Sequence, residues 1–170
     1  MRQRHIQPEV KPSSPQVADD PKLKELADKA DKIVKKDKFL SANKLKLSDD
    51  QRAALIKTLE MLEGNQLYHS TYSTGSAPAN GKYPFNMSHW GGHCGTVCCI
   101  GGTAQWVLGK HVDMSTFCGE PLDALFFPNH LKLPDWSHLT PEVAAIALRT
   151  YLETGKEDWR GALKKSKEVK

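Results

Sequence analysis

The stretch Trp90-Gly91-Gly92-His93-Cys94-Gly95-Thr96-Val97-Cys98-Cys99-Ile100-Gly101-Gly102-Thr103-Ala104-Gln105-Trp106-Val107-Leu108-Gly109 decides how the chain is read. Its second half keeps Val97, Ile100, Ala104 and Leu108 at helical spacing, with Gly109 just past the last of them as a terminator. The spacing predicts a buried central helix. The first half is rich in glycine and brings His93 and Cys94 to the expected helix entrance, where free backbone N–H groups and the dipole favour a thiolate. No other stretch offers as direct a route to chemistry.

Upstream, Ser48-Asp49-Asp50-Gln51 reads as a helix start, with the serine as cap and Gln51 closing a capping box. Leu55, Ile56, Leu59 and Leu62 supply the buried face, and Gly64 the stop. Residues 65–92 form a long irregular segment rich in Ser, Thr, Asn, Gly and Pro. Tyr68, Tyr72, Tyr83, Phe85 and Trp90 are expected to anchor parts of it across the helices, with a short hairpin only weakly signalled.

Downstream, Gly119-Glu120-Pro121 is expected to open a short helical piece carrying Leu122, Leu125, Phe126 and Phe127, stopped by Pro128. Asn129 to Leu139 reads as a loop. Thr140-Pro141-Glu142 combines a cap, a first-turn proline and an acidic residue suited to the dipole, and Gly155 is the matching stop. Apolar residues between them cover a broad arc, as in a helix packed on two sides. Trp159 is expected to fold back onto the core. Without a repeat or a run of alternating strand residues, the fold class is a mostly α, small irregular helical domain with long loops.

The ends differ from this body. Residues 1–48 carry twelve Lys/Arg against seven Asp/Glu, residues 49–160 eight against twelve, and residues 161–170 four against one. Basic ends therefore flank an acidic body. Phe39 is the one aromatic residue outside 49–160, which places the expected core in that middle segment. The organisation read from this is a disordered, proline-rich arm over 1–19, an amphipathic helix and linker over 20–47, a helical globular domain over 48–160 and a basic tail over 161–170. Within the second of these, Asp20-Pro21 starts a helix running to about Lys38, with Leu23, Leu26, Ala27, Ala30, Ile33 and Val34 on one face, and Ser41 to Leu47 is the linker.

Composition narrows the function classes. A hydrophobic fraction of 39% with 26% charged residues suits a globular chain, and no apolar run reaches the roughly 18 residues needed to span a bilayer. The basic start, Met1-Arg2-Gln3-Arg4-His5, is followed by prolines rather than an apolar region, so a cytoplasmic protein without a secretory signal is expected. Four cysteines there are expected to be reduced thiols. Nucleic-acid binding is not favoured, because the lysines of the arm alternate with acidic residues and lack aromatic neighbours for base stacking.

Several spaced groups resemble a set of uncharacterised bacterial and phage proteins: Phe85-Asn86-Met87-x-x-Trp90, Cys94-Gly95-Thr96-x-Cys98-Cys99-Ile100-Gly101-Gly102, Thr140-Pro141-Glu142-x-Ala144-Ala145 and Thr154-Gly155-Lys156-x-Asp158-Trp159. The resemblance covers about residues 85–160 and implies a prokaryotic or phage cytoplasmic protein; it implies no activity.

Three readings compete for the cysteine segment. In the first, the thiols are small buried hydrophobes, and Gly101 and Gly102 let another helix approach closely, which offsets a helix-propensity cost of about 1 kcal/mol each. In the second, Cys94 is a nucleophile at a helix N-terminus with His93 adjacent and His138 among the possible downstream bases. Papain-like proteases carry C-G-S-C-W at a helix start, but Cys94-Gly95-Thr96-Val97-Cys98 has one residue more, and no strand is apparent after residue 109 to hold the histidine of a smaller cysteine peptidase. In the third, Cys94, Cys98, His111 and Cys118 form a tetrahedral zinc site, although the paired C-x-x-C spacing of structural zinc modules is missing.

The first reading leads. The expected function is then a non-enzymatic helical protein without a cofactor, which binds a macromolecular partner, most simply a protein. The contact is assigned to Leu23, Leu26, Ile33 and Val34 with Lys35 and Lys36 beside them. A cysteine-dependent enzyme is the alternative and a zinc-binding module the third.

Overall fold

A computed structural model of the chain describes residues 39–70, 80–88, 99–109, 117, 119–133 and 135–168. The described elements are helices α1 (Ala42–Leu45), α2 (Asp49–Glu63), α3 (Ile100–Leu108), α4 (Asp123–Phe126), α5 (Pro141–Thr154) and α6 (Trp159–Glu168), with strands β1 (Leu67–His69) and β2 (Tyr83–Phe85). The fold is mostly α, and its central helix is α2 rather than the helix that carries Cys99, which packs mainly on α2. Helix α2 packs against both α3 and α5, and α5 packs against α6.

The two longest helices follow from their end signals. Ser48 Oγ accepts from the Gln51 amide at 3.1 Å while the Gln51 side chain accepts from the Ser48 amide at 2.8 Å, which satisfies two otherwise orphaned donors of α2. Ala54, Leu55, Ile56, Leu59 and Leu62 then face the core, and Gly64 caps the C-terminus. Thr140 caps α5 with Pro141 in the first turn, and Gly155 closes it at φ 74°, a left-handed conformation that strains residues bearing a Cβ. Leu148, Tyr151 and Leu152 of α5 are fully enclosed.

The folded region begins earlier than composition suggests. Ser41 to Leu47, expected as a linker, contains α1, in which Ser41 caps a single turn and Ala42 and Leu45 are buried. One turn is too short for its periodicity to stand out. Phe39 also joins the core, against the expectation that the core lies within 49–160. The Leu40 amide donates to Leu152 O at 2.8 Å, Arg52 Nε donates to Leu40 O at 2.7 Å, and the Arg149 guanidinium lies 5.3 Å from the centre of the Phe39 ring. Arg149 is itself held by a fork of two 2.8 Å bonds to the Glu63 carboxylate.

The basic tail is likewise structured as far as residue 168. Asp158 Oδ1 accepts from the Gly161 amide at 2.8 Å and starts α6; Trp159 is fully buried, as expected, and its Nε1 donates to Ala124 O at 3.3 Å. Ala162 is buried one turn on. Where a hairpin was weakly signalled, β1 and β2 pair in parallel, with Leu67 opposite Tyr83 and His69 opposite Phe85. Asn129 to Leu139, read as a loop, includes two short 3-10 turns, Asn129–Leu131 and Trp136–His138.

Candidate functional site

Helix α3 starts at Ile100, and its N-cap is Cys99 rather than a residue near Cys94. The Cys99 backbone is extended and its Sγ accepts from the buried Gly102 amide at 3.3 Å, so a thiol does what a serine or aspartate oxygen usually does. Cys99 is buried, as the packing reading requires. Ile100 and Ala104 face the core, Gly109 closes the helix, and Trp106 meets Tyr83 with ring centres 5.0 Å apart. A Cβ on Gly101 would lie 3.1 Å from the Phe126 ring, so this glycine makes room for that ring against α3. Thr103 is fully buried, and among the described side chains its Oγ1 is a buried polar atom without a hydrogen-bond partner.

His93, Cys94, Cys98, His111 and Cys118 lie outside the described residues, as do Leu23, Leu26, Ile33, Val34, Lys35 and Lys36. His138 is described: it ends the second 3-10 turn and is exposed. Among the described residues, no group of three or more His, Cys, Asp or Glu is placed to hold a metal ion.

The described structure does gather polar side chains at one end of the parallel strands. Ser88 lies just past β2, and its hydroxyl donates to Asp135 Oδ1. The Ser137 hydroxyl donates to Asp135 Oδ2, and the Ser137 amide to Oδ1 at 2.8 Å. At the end of β1, His69 Nε2 meets the Ser137 carbonyl, which accepts only if that nitrogen carries the proton. Asn86 is buried, and its Oδ1 accepts from the Ser88 amide at 2.8 Å, which fixes the turn presenting Ser88.

The electrostatics follow from these donors. The Ser137 hydroxyl, then the Ser88 hydroxyl and the Ser137 amide, hold the Asp135 carboxyl at about 2, below its usual 3.8, and His138 adds a smaller attraction. A carboxylate so depressed is a weak base near neutral pH. Both serine hydroxyls point their protons at this weakly basic carboxylate, and His69 Nε2 is engaged with a backbone carbonyl rather than with either hydroxyl. The arrangement ties the ends of β1 and β2 to the 3-10 turn at Trp136–His138. The chain leaves the described residues from this end after Ser70 and again after Ser88, the second departure leading in sequence towards His93 and Cys94.

Sequence reasoning singled out His138 but not Ser88, Asp135, Ser137 or His69. Asp135-x-Ser137 is a local capping pattern that could have been found. The Ser88 contact spans 47 residues and leaves no local trace. No protein-family model, curated protein or solved structure matches the chain.

Proposed function

We propose that the chain is a non-enzymatic helical protein that binds a protein partner through the amphipathic segment ahead of its folded domain, as an accessory or regulatory component in the cytoplasm of a bacterium or its phage. The observation that carries this reading is the clamp at Phe39 and Leu40, which Leu152, Arg52 and Arg149 hold from three directions. The segment with Leu23, Leu26, Ile33 and Val34 at helical spacing ends immediately before that fixed point. A tethered amphipathic helix suits the helix-in-groove mode of recognition, here with the large apolar anchors at i, i+3, i+10 and i+11 and flanking charge for orientation. Lys35 and Lys36 supply that charge towards an acidic rim.

The test is selection of binders from a displayed library of protein fragments, with the full chain as bait. Binders are expected to be lost with the double variant Leu26→Asp and Ile33→Asp while the melting temperature stays unchanged. Binders that the double variant retains would contradict the assignment. So would a large fall in melting temperature, because it would place those residues in the chain's own core.

A further inference from the structure

Helix α6 sorts its charges in a way the linear sequence hides. At about 100° per residue, Trp159, Ala162, Leu163 and Ser166 share the face turned to the domain, whereas Arg160, Lys164 and Lys167 fall within an arc of roughly 60° along one flank of that face. Trp159 and Ala162 are buried, and the three cations are exposed. Lys165 is also exposed, on the far side of the inward face, and Glu168 is the one acidic residue of the helix. None of these four cations forms an ion pair with a described residue. Helix stability accounts for part of the pattern only: Lys165 and Lys167 in the last turn suit the dipole, but Arg160 sits in the first turn, where a cation is unfavourable.

We infer that the Arg160, Lys164 and Lys167 stripe is a contact for the phosphate backbone of duplex nucleic acid. The stripe spans about 10 Å at 1.5 Å per residue. One strand of a duplex presents its phosphates as a regular row of single negative charges, which a row of three cations can meet. The buried Trp159 fixes the helix that carries the stripe, so only the three side chains themselves have to order on binding. An anionic membrane fits less well, because the apolar face that would enter it is already spent on the domain core. A protein surface also fits less well: the stripe is lysine-rich without an aromatic or aliphatic centre, and protein interfaces are depleted in lysine. Contacts of this kind position a duplex without reading its sequence. The inference is independent of the protein partner proposed for the N-terminal segment, and its failure leaves that proposal standing.

The experiment is fluorescence anisotropy of a short labelled duplex DNA of arbitrary sequence, titrated with the full chain over a series of salt concentrations. The expected result is binding at low salt, with a log–log salt slope that becomes shallower by about 2.7 in the triple variant Arg160→Gln, Lys164→Gln, Lys167→Gln, at about 0.9 per phosphate contact. Circular dichroism should show the same helix content, since all three side chains are exposed. A control triple variant, Lys44→Gln, Lys46→Gln and Lys132→Gln, removes the same charge elsewhere and should leave the slope nearly unchanged. The inference is overturned if wild type fails to bind at low salt or if both triple variants shift the slope equally. It is also overturned if polyglutamate competes as well, per charge, as unlabelled DNA, or if anionic phospholipid vesicles bind the chain more tightly than DNA does.

Discussion

Helix α5 enters the core with several large side chains, and helix α3, after Ile100, enters it with small ones. Leu148, Tyr151 and Leu152 fill space from α5, whereas α3 offers Gly101 and Gly102 together with Thr103 and Ala104. One helix contributes volume and the other contributes room for a neighbouring side chain, as the 3.1 Å between a hypothetical Gly101 Cβ and the Phe126 ring indicates. They also begin differently. An oxygen of Thr140 caps α5, and a sulfur of Cys99 caps α3. The difference teaches that the cysteine segment, the first place to look for chemistry, is built at its described end as a structural joint.

The largest effect that would sharpen this contrast is Leu148→Ala in α5. Leu148 is fully buried, so its truncation leaves a cavity and is expected to cost about 3 kcal/mol in denaturant unfolding. A cost well under 1 kcal/mol would mean that α5 does not supply core volume as described.

A smaller effect of opposite sign is expected in α3. Thr103→Val removes a buried hydroxyl that has no hydrogen-bond partner among the described residues and keeps the branched shape, so it should stabilise the protein by about 1 kcal/mol. Destabilisation by a similar amount would show that the hydroxyl has a partner after all.

The same contrast explains what could be read in advance. Ser48 with Gln51, Thr140 with Pro141, and the stops at Gly64, Gly109 and Gly155 all act through neighbours in sequence, so their chemistry is visible locally. The start of α3 was displaced because thiols are seldom read as caps and the glycines before Cys99 resemble a helix entrance. The pairing of β1 with β2 and the Ser88–Asp135 contact join residues far apart in the chain, and strands of three residues carry no alternation to detect. In the candidate site, His138 was legible as a polar residue in a loop and the Ser137 bonds to Asp135 as a local pattern, whereas the Ser88 bond to that carboxylate forms only in the fold.

The smallest effect concerns that carboxylate. Asp135 titrates at about 2 in the folded chain against an ordinary 3.8, so the stabilisation its ionised form provides is complete above about pH 4 and is lost as pH falls towards 2. The Ser137 amide resonance, followed by NMR, should therefore move with a midpoint near pH 2. A midpoint at or above 3.8 would mean that the Ser88 and Ser137 donors do not hold the carboxylate in solution.

The central claim is that Cys99 starts the core helix as its cap, and the paired variants Cys99→Ser and Cys99→Ala test it most directly. Serine is among the best N-cap residues and alanine among the poorer ones, so Cys99→Ser should retain nearly all of the wild-type stability while Cys99→Ala loses about 1 kcal/mol, the same order as Thr140→Ala at the start of α5. Thermal unfolding of the four proteins side by side supplies the ranking. If Cys99→Ala is as stable as wild type and Cys99→Ser is the destabilised variant, the thiol serves only as a buried apolar group, and the capping account of this helix is wrong.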